Sequence, residues 1–231
     1  SFKEVTLISH NVNRGLAASR NTAIKASSGN FIASLDSDCI PDKDWLKKLM
    51  QHFDSPSIAM AGGTLRETVT ITNADRWRHR HMTQTWGNQP LVNPPFIYGN
   101  NSVIRKSVMG NDCRYNEDLY TNGEDSFISN LLKSKGLNIY YDPEAIVFHL
   151  RKDNFKSVVK TVWNYAFYAP KSLFYDTSWR NCIVFLYYRL KEDGLRPFKD
   201  LFTGHWNMLT IDIAVISYII FRLLKVKLTG K

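Results

Sequence analysis

The spacing of apolar and polar positions predicts alternating strands and helices along the first 150 residues of the chain. Short apolar runs of strand length alternate with stretches in which apolar residues recur every three or four positions, as on one face of a helix. The predicted strands are residues 5–8, 31–35, 58–63, 64–71, 98–105, 138–141 and 145–148. The predicted helices are residues 16–26, 41–53 and 123–136, and the proline-rich segment 89–96 is expected to be a loop. This pattern indicates an α/β domain in which crossover helices make neighbouring strands parallel.

One apolar strand ends abruptly in two carboxylates. The run from Phe31 to Leu35 is followed by Asp36, Ser37 and Asp38. Ligands of open α/β sheets bind at the carboxyl ends of the strands. Two acids there repel each other unless a positive group lies between them, and a divalent cation that also holds substrate phosphates fits this role. The alternative is a solvated turn, because this spacing arises by chance about once in a few hundred residues.

The preceding turn and helix carry candidate ligands for an anion. Asn13 and Gly15 lie in the turn, and the helix that begins at Leu16 presents free backbone N–H groups. Arg20, one turn further along, adds a fixed cation for a phosphate or a base carbonyl. The alternative is that Arg20 and Asn21 are surface polar residues and that Gly15 is an ordinary turn glycine.

Two later motifs suit a sugar and a proton transfer. Gly99 is followed by Asn100 and Asn101, whose amides both donate and accept hydrogen bonds and therefore suit sugar hydroxyls. An Asn-rich turn is the alternative. Glu124 and Asp125 open a predicted helix, where one of them could act as a general base. The helix dipole alone also favours acids at this position.

Histidines occur in two settings. His149 directly follows a predicted strand, as Asp36 does, so both are expected at the same rim of the sheet. There His149 is either a third metal ligand or a capping side chain. His79 and His81 lie in the cationic stretch 75–86 without a carboxylate or cysteine nearby in sequence. We interpret this stretch as a basic helix face, with contact to a phosphorylated or lipid-linked acceptor as a secondary idea.

Composition narrows the choice of partners. Among the 231 residues, 30 Lys and Arg outweigh 21 Asp and Glu, giving a formal charge of +9. This excess favours nucleotides, nucleic acids or anionic membranes, and the lack of any nucleic-acid module signature leaves nucleic acid the least supported. Three cysteines without C-x-x-C spacing argue against a disulfide framework or zinc ribbon, and they indicate a reducing compartment.

Aromatic-rich helices are predicted after residue 150, at residues 155–169, 179–190 and 206–228. The last contains a nearly all-apolar run, 211–221, which is interrupted by Asp212 and is shorter than the ~20 residues of a spanning helix. Basic residues follow this run, so an interfacial helix on an anionic membrane is favoured. A single span, packing on the catalytic domain, or a dimer interface in a homo-oligomer are the alternatives.

Six motifs occur in the order seen in family 2 glycosyltransferases, and residues 5–150 resemble the bacterial members with a GT-A fold. The motifs are Asn13-x-Gly15, Ala18-x-Arg20-Asn21, the strand into Asp36-Ser37-Asp38, Gly99-Asn100-Asn101 before Ile104-Arg105, Gly123-Glu124-Asp125, and His149. The resemblance implies a GT-A-type, Rossmann-like sheet, mixed but mainly parallel, flanked by helices over residues 1–150. Residues 151–231 would form a helical appendage.

The resemblance also implies an activity. It predicts inverting transfer from a nucleotide-diphospho-sugar to a surface-polysaccharide or lipid-linked acceptor at the cytoplasmic face of the membrane. Asp36, Asp38 and His149 would hold Mn²⁺ or Mg²⁺ on the donor diphosphate. Asp125 would be the general base, with Glu124 beside it. The implied donor-binding residues are Asn13, Gly15, Arg20, Asn21, Asp36, Ser37 and Asp38, and the implied acceptor or sugar residues are Gly99, Asn100 and Asn101.

One departure from the family is expected at the N-terminus. Family members begin with a strand, a helix and a second strand that build most of the nucleobase pocket, and residues 5–8 align with the strand after them. About fifty to sixty residues of a typical member are therefore expected to be missing. The chain is then a fragment of a longer enzyme, or a truncated, inactive relative that acts as a binding or scaffold subunit.

Overall fold

A computed structural model of the chain describes residues 4–119, 121–173 and 194–229, with side chains for all of these except 166–173, 219 and 222–229. The strands are β1 Phe31–Leu35, β2 Cys39–Pro41, β3 Ile58–Glu67, β4 Leu91–Val92, β5 Asn101–Arg105 and β6 Asn138–His149. The helices are α1 Leu16–Ala26, α2 Trp45–Met50, α3 Asn73–His81, α4 Glu124–Ser134, α5 Phe155–Leu173, α6 Arg196–Phe202 and α7 Leu209–Thr229. Short 3₁₀ turns cover Gln51–Asp54, Lys106–Val108 and Trp206–Met208.

The strands form one mixed sheet in the order β1-β5-β3-β6-β2, and β4 also pairs with β6. Among the described strands only β3 and β6 run parallel, whereas the other four pairs are antiparallel. The predicted α/β fold with a central sheet between helices is confirmed, but a mainly parallel sheet is wrong for this part of the chain.

The sheet is not mainly parallel partly because residues 5–8 do not form the predicted strand. Val5 and Leu7 are 68% and 86% exposed, and no described strand lies beside them to pair with their backbone. The parallel neighbour that was expected for β1 is therefore not formed, and β1 pairs only with the antiparallel β5. As an edge strand it is half-buried rather than fully buried.

Two pairs of predicted strands are single strands. β3 unites most of the runs predicted at 58–63 and 64–71, and β6 unites those at 138–141 and 145–148. Their shared ladder shifts register between Gly63 and Thr64, which lets both strands continue past the irregularity. Gly63 is needed here because a Cβ atom would overlap the Ala145 carbonyl group. The predicted loop 89–96 also contains the short strand β4.

Helices cover both faces of the sheet. On one face, α1 and α4 pack Ala17, Ile128 and Leu132 against Met60 and Ile139. On the other face, α2 and the turn after it pack their predicted apolar stripe against alternate strand residues. This second group consists of Trp45, Leu49, Phe53, Ala61, Val103 and Val147.

The C-terminal helices pack on α3. Ile211 and Val215 of α7 join Trp77 of α3 and Val158 and Val162 of α5 in a third apolar cluster. Packing on the domain, one of the predicted alternatives, therefore holds for this face of α7. In the described part of the chain no helix is long and apolar enough to span a membrane. The predicted helix 179–190 lies outside the described residues.

The stretch 75–86 is not the solvated basic face that was predicted. Trp77 and Arg78 of α3 are fully or nearly fully buried. Arg78 donates to Glu67 at 2.9 Å and to Asp153 at 3.3 Å. Further along the helix, Arg80 and His81 both bind Asp200. The prediction failed because Asp153 and Asp200 come from distant parts of the sequence.

Candidate active site

A cleft of about 570 Å³ opens where β1, β3 and β6 end and β5 begins. The ladders pair Leu35 with Asn101, and pair both Cys39 and Glu67 with His149, so these strand ends meet at one rim. α1, the N-terminus of α4 and the first half of α5 complete the walls. The predicted site residues that line the cleft are Arg20, Asp36, Asp38, Gly99, Asn100, Glu124, Asp125 and His149.

The turn between β1 and β2 separates the two carboxylates of the Asp36-Ser37-Asp38 motif. Oδ1 of Asp36 lies 3.6 Å from Nη2 of Arg20. Oδ2 of Asp38 lies 3.3 Å from Nε2 of His149. Burial raises the pKa of Asp36, and the charge of Arg20 opposes this rise. Asp36 thus already faces a cation of the protein, whereas Asp38 faces the histidine.

His149 is held from behind by Glu67, the last residue of β3. Its Nδ1 lies 2.9 Å from Oε2 of Glu67, and Arg78 donates to the other oxygen of that carboxylate at 2.9 Å. Glu67 therefore accepts the Nδ1–H group, and Nε2 faces Asp38. An imidazole nitrogen and a carboxylate oxygen at this distance need a proton or a cation between them. A carboxylate behind an imidazole is typical of metal-binding histidines, so this donor set fits a divalent cation.

Cys39 also lies at this rim, although its position in the sequence motifs was not predicted to be functional. Its Sγ lies 4.0 Å from Oδ1 of Asp38. One ligand atom each from Asp38, Cys39 and His149 lie within 4.8 Å of one another. Burial, with the charges of Asp36 and Asp38, raises the pKa of the Cys39 thiol to about 12. Its position directly after the second aspartate was the signal that could have found it.

Arg20 connects α1 to the acid pair of α4. Its Nη1 donates to Oε1 of Glu124 at 2.6 Å, and the two side chains are 10% and 5% exposed. The guanidinium also lies over the Tyr115 ring, 5.5 Å from its centroid. A Cβ atom on Gly99 would collide with this guanidinium, so the close approach requires glycine there.

The acids in the first turn of α4 have different environments. Oδ1 of Asp125 accepts from the Ser126 N–H group at 2.7 Å, and Oδ2 accepts from the Gly99 N–H group at 3.4 Å. Burial raises the pKa of both carboxyl groups; for Glu124 the neighbouring Asp125 adds to the rise and Arg20 opposes it. A carboxylate of raised pKa in a cleft is suited to accept a proton near neutral pH.

Two buried acceptors in the cleft lack a partner among the described residues: Oδ1 of Asn100 and Oε2 of Glu124. The amide nitrogen of Asn100 is used, since it donates to Gln84 at 3.0 Å. An unpaired buried acceptor costs about 1–3 kcal/mol. A ligand that donates hydrogen bonds, such as a sugar with free hydroxyl groups, would satisfy both atoms.

Asn101 does not share this role. It is fully buried, accepts from Nε1 of Trp45 at 2.6 Å, and donates to the Thr64 and Ala145 carbonyls at 2.9 and 3.1 Å. All of these contacts join α2 and three strands. The predicted contact between Asn101 and a sugar therefore does not fit the structure, because the fold itself uses the amide.

Four predicted donor-binding residues also lie outside the cleft lining. Asn13 accepts from the Gly15 N–H group at 2.9 Å in the turn before α1, where Gly15 has a φ of 85°. Asn21 binds the backbone N–H and carbonyl groups of Tyr115 at 3.0 and 2.9 Å. Ser37 lies in the turn after β1. Asn13 and Asn21 thus shape the surroundings of Arg20.

The first half of α5 supplies a wall of the cleft that was not predicted from the sequence. Lys160, Asn164 and Tyr165 line the cleft together with Arg151, which donates to Thr161 at 2.6 Å. Burial, with the nearby charge of Asp125, raises the pKa of Tyr165 to about 12. These polar positions recur at helical spacing between the apolar ones, which was the available signal.

Comparison with known proteins identifies the fold of this chain and several proteins similar to it. Residues 1–111 match the family model described as Glycosyl transferase family 2. The resemblance to this family is confirmed. The structure of a mannosyltransferase from Pyrobaculum calidifontis in complex with GDP-Man and Mn²⁺ is similar to that of this chain. The alignment covers 98% of this chain and 70% of the mannosyltransferase chain. The TM-score is 0.57 at 13% sequence identity, and the shared architecture is the GT-A fold.

Two glycosyltransferases are similar to this chain in sequence. The pre-mycofactocin glycosyltransferase of Mycobacterium tuberculosis is 28% identical over 152 residues, which are 63% of this chain and 32% of that protein. Glycosyltransferase AglE of Haloferax volcanii is 29% identical over 124 residues, which are 54% of this chain and 41% of that protein. The chain thus matches well under half the length of either relative.

Proposed function

We propose that this chain carries the catalytic cleft of an inverting, metal-dependent glycosyltransferase. The donor is a nucleotide-diphospho-sugar, and the acceptor is a hydroxyl group of a surface polysaccharide or of a lipid-linked glycan. One observation carries the proposal. A cation-accepting pair, Asp38 and His149, shares a single cleft with the buried acids Glu124 and Asp125 and with two unpartnered acceptors.

The donor diphosphate is assigned to the rim formed by Asp38 and His149. These residues, with Asp36 nearby, would hold Mn²⁺ or Mg²⁺, which supplies charge neutralisation for the departing nucleotide when it is bound. The similar mannosyltransferase, solved with GDP-Man and Mn²⁺, supports this choice of donor class and cation. Lys160 of α5 lines the same cleft and adds a cation for the donor phosphates.

Asp125 is assigned the role of general base. It accepts the proton of the acceptor hydroxyl while that oxygen forms a bond to the anomeric carbon. The bond from the anomeric carbon to the diphosphate breaks in the same step, with its electron pair leaving on the phosphate oxygen. Attack from the face opposite the leaving group inverts the anomeric configuration. The raised pKa of Asp125 favours proton uptake at neutral pH.

We further propose that the chain contacts a membrane surface, which fits a lipid-linked acceptor. Phe198, Phe202 and Trp206 are 58%, 83% and 65% exposed, and the exposed Lys199 lies among them in sequence. Aromatic side chains beside a cation are typical of interfacial helices on anionic membranes. Lipid headgroups of the cytoplasmic leaflet supply the matching negative charge.

A transfer assay tests the assignment of Asp125. With a nucleotide-sugar, Mn²⁺ and a glycan acceptor, we expect Asp125→Asn to lower kcat by about 10²–10⁴ while the Kd for the nucleotide stays unchanged. Asp118→Asn is the matched control, because Asp118 is exposed on the loop before α4. NMR of the product reports the anomeric configuration. Equal activity of the two variants, or retention of configuration, would overturn the proposal.

A further inference from the structure

Cys39 gives the metal-binding rim a ligand of a different chemical kind. It is the first residue of β2 and lies directly opposite His149 in the antiparallel ladder. Opposite residues of such a pair point to the same face of the sheet, so the thiol and the imidazole converge. Together with Asp38 they offer a sulfur, a nitrogen and an oxygen within 4.8 Å of one another.

The spacing of these atoms fits a tetrahedral ion. Nε2 of His149 and Oδ2 of Asp38 are 3.3 Å apart. Metal–ligand bonds of about 2.0–2.1 Å at a tetrahedral angle place two such ligands roughly 3.3 Å apart. Sγ of Cys39 lies 4.0 Å from Oδ1 of Asp38 and offers a third ligand atom. The fourth position is left for water.

The burial and the partners of His149 fit a metal ligand. His149 is 3% exposed, and its Nδ1 is committed to Glu67. Its Nε2 faces the Asp38 carboxylate, and either a proton on that nitrogen or a metal ion can join the two groups. The Asp38 side chain is 41% exposed, so an ion can enter from solvent without rearrangement of the fold.

Oxygen-rich sites suit Mn²⁺ and Mg²⁺, whereas a thiolate selects softer ions. We propose that Asp38, Cys39 and His149 bind a thiophilic divalent cation such as Zn²⁺, and that this ion excludes the Mn²⁺ or Mg²⁺ that serves the donor. On binding, the S–H bond of Cys39 is replaced by a metal–sulfur bond and the proton passes to solvent. The inhibitory consequence rests on the proposed function, but the binding step does not.

Titration of the full chain with Cd²⁺, without any nucleotide, tests the binding step. Cadmium bound by a thiolate absorbs in the ultraviolet, at shorter wavelength than the tryptophan and tyrosine bands, through charge transfer from sulfur. We expect one equivalent of Cd²⁺ to produce this band in the wild type. Cys39→Ser should abolish it and lower the Cd²⁺ affinity more than about tenfold, since even indirect changes at metal sites cost that much. Excess Mn²⁺ should weaken the apparent Cd²⁺ affinity of the wild type.

The other cysteines provide controls. Cys113 is buried in the core, and Cys113→Ser should retain the band, as should Cys182→Ser. Should Cys39→Ser fail to fold, alkylation of the wild type gives the same answer, because bound Cd²⁺ should protect Cys39 from iodoacetamide. A band that persists in folded Cys39→Ser, a wild type without the band, or unprotected Cys39 would overturn the inference.

Titration of the wild type with nucleotide and Mn²⁺ separates this inference from the proposed function. Nucleotide binding that Zn²⁺ suppresses supports both. If no nucleotide binds but the cadmium band forms, the proposed function fails and the thiolate site stands. If nucleotide binds and no band forms, only the thiolate site fails.

Discussion

The contact between Arg20 and Glu124 sets the charge balance of the cleft at the scale of single residues. Both side chains are nearly buried, so neither charge is compensated by water. We expect Arg20→Ala to lower the free energy of unfolding by about 3 kcal/mol or more at about pH 8, because it removes the buried cation that keeps Glu124 ionised. The loss should shrink at about pH 5, because burial raises the pKa of Glu124 and the carboxyl group is then neutral.

Urea unfolding at both pH values measures this effect, and Arg14→Ala is the matched control. Arg14 pairs with Glu117 at 2.8 Å, but the two side chains are 51% and 35% exposed. Such exposed pairs contribute less than about 1 kcal/mol. Equal losses for the two arginine variants would contradict the buried pairing of Arg20.

The neighbouring amides Asn100 and Asn101 should separate binding from stability. Asn101→Ala removes three buried hydrogen bonds and is expected to lower the free energy of unfolding by about 2 kcal/mol or more. Asn100→Ala should cost less, but it should weaken binding of a nucleotide-sugar relative to the bare nucleotide. Thermal unfolding measures the loss of stability, and calorimetric titration measures the affinity for the nucleotide-sugar and for the nucleotide. A stable Asn101→Ala variant with impaired sugar binding would reverse the assignment.

Sequence alone could not separate these two amides. Both follow Gly99, and both have the hydrogen-bonding capacity that suits a sugar. Their environments differ because Asn100 precedes β5 and lines the cleft, whereas Asn101 begins the strand between β1 and β3. The partners of Asn101 lie at Trp45, Thr64 and Ala145, far away in sequence.

At the scale of elements, α3, α6 and α7 meet around buried acids. Asp200 of α6 accepts from Arg80 at 2.6 Å and lies 2.8 Å from Nε2 of His81. Asp212 of α7 accepts from Nε1 of Trp77 at 2.7 Å, while its Oδ2 is buried and has no partner among the described residues. Burial raises the pKa of Asp212 to about 6, with Asp200 adding to the rise.

The buried carboxyl group of Asp212 should make the free energy of unfolding depend on pH. The folded protein binds the Asp212 proton more tightly than the unfolded chain does, so this contribution is present below about pH 4 and is lost as the pH rises through about 6. Asp212→Asn mimics the protonated acid and keeps an acceptor for Trp77. We expect it to be more stable than the wild type above this range, by on the order of 1–3 kcal/mol. A difference in the free energy of unfolding between the two proteins that stays constant across this pH range would contradict this prediction.

The helices were predicted better than the strands. α1 has its predicted bounds, because a glycine and a polar turn mark both of its ends in the sequence. The strands at 58–71 and 138–148 were divided where Gly63 and Pro143 interrupt the apolar pattern, yet both strands continue through a register shift. Residues 5–8 have strand composition but no described neighbour to pair with. Strand pairing depends on partners that local sequence does not contain.

The order of the sequence motifs was enough to predict which residues form the site. The arrangement of their side chains could be known only from the fold. Asp38 and His149 were both placed at the rim of the sheet because both follow strands, and they lie 3.3 Å apart. The contributions of Cys39, Lys160 and Tyr165 were missed, since each resembles an ordinary strand or helix residue by itself. Only the packing of α5 against α3 and α4 gives the last two a place in the cleft.

At the scale of the whole molecule, the formal charge of +9 and the exposed aromatic side chains should act together. We expect the chain to sediment with vesicles containing anionic lipid, and less so at high salt because screening weakens the attraction. Replacing Phe202 and Trp206 by serine should reduce sedimentation. Leu46→Ser is the control, since Leu46 is 47% exposed on α2. An equal effect of the two changes would contradict a membrane-facing α6 region.

The central claim is that Asp38 and His149 form the metal side of a nucleotide-sugar site. Calorimetric titration with UDP, GDP and dTDP, each with and without Mn²⁺, tests it most directly. Asp54→Asn serves as the control for Asp38→Asn, because Asp54 is exposed after α2. The account predicts that one nucleotide binds only with Mn²⁺, and that Asp38→Asn abolishes this binding while Asp54→Asn preserves it. A folded chain that binds none of the three, or binding that survives Asp38→Asn, would contradict the claim and favour a scaffold role.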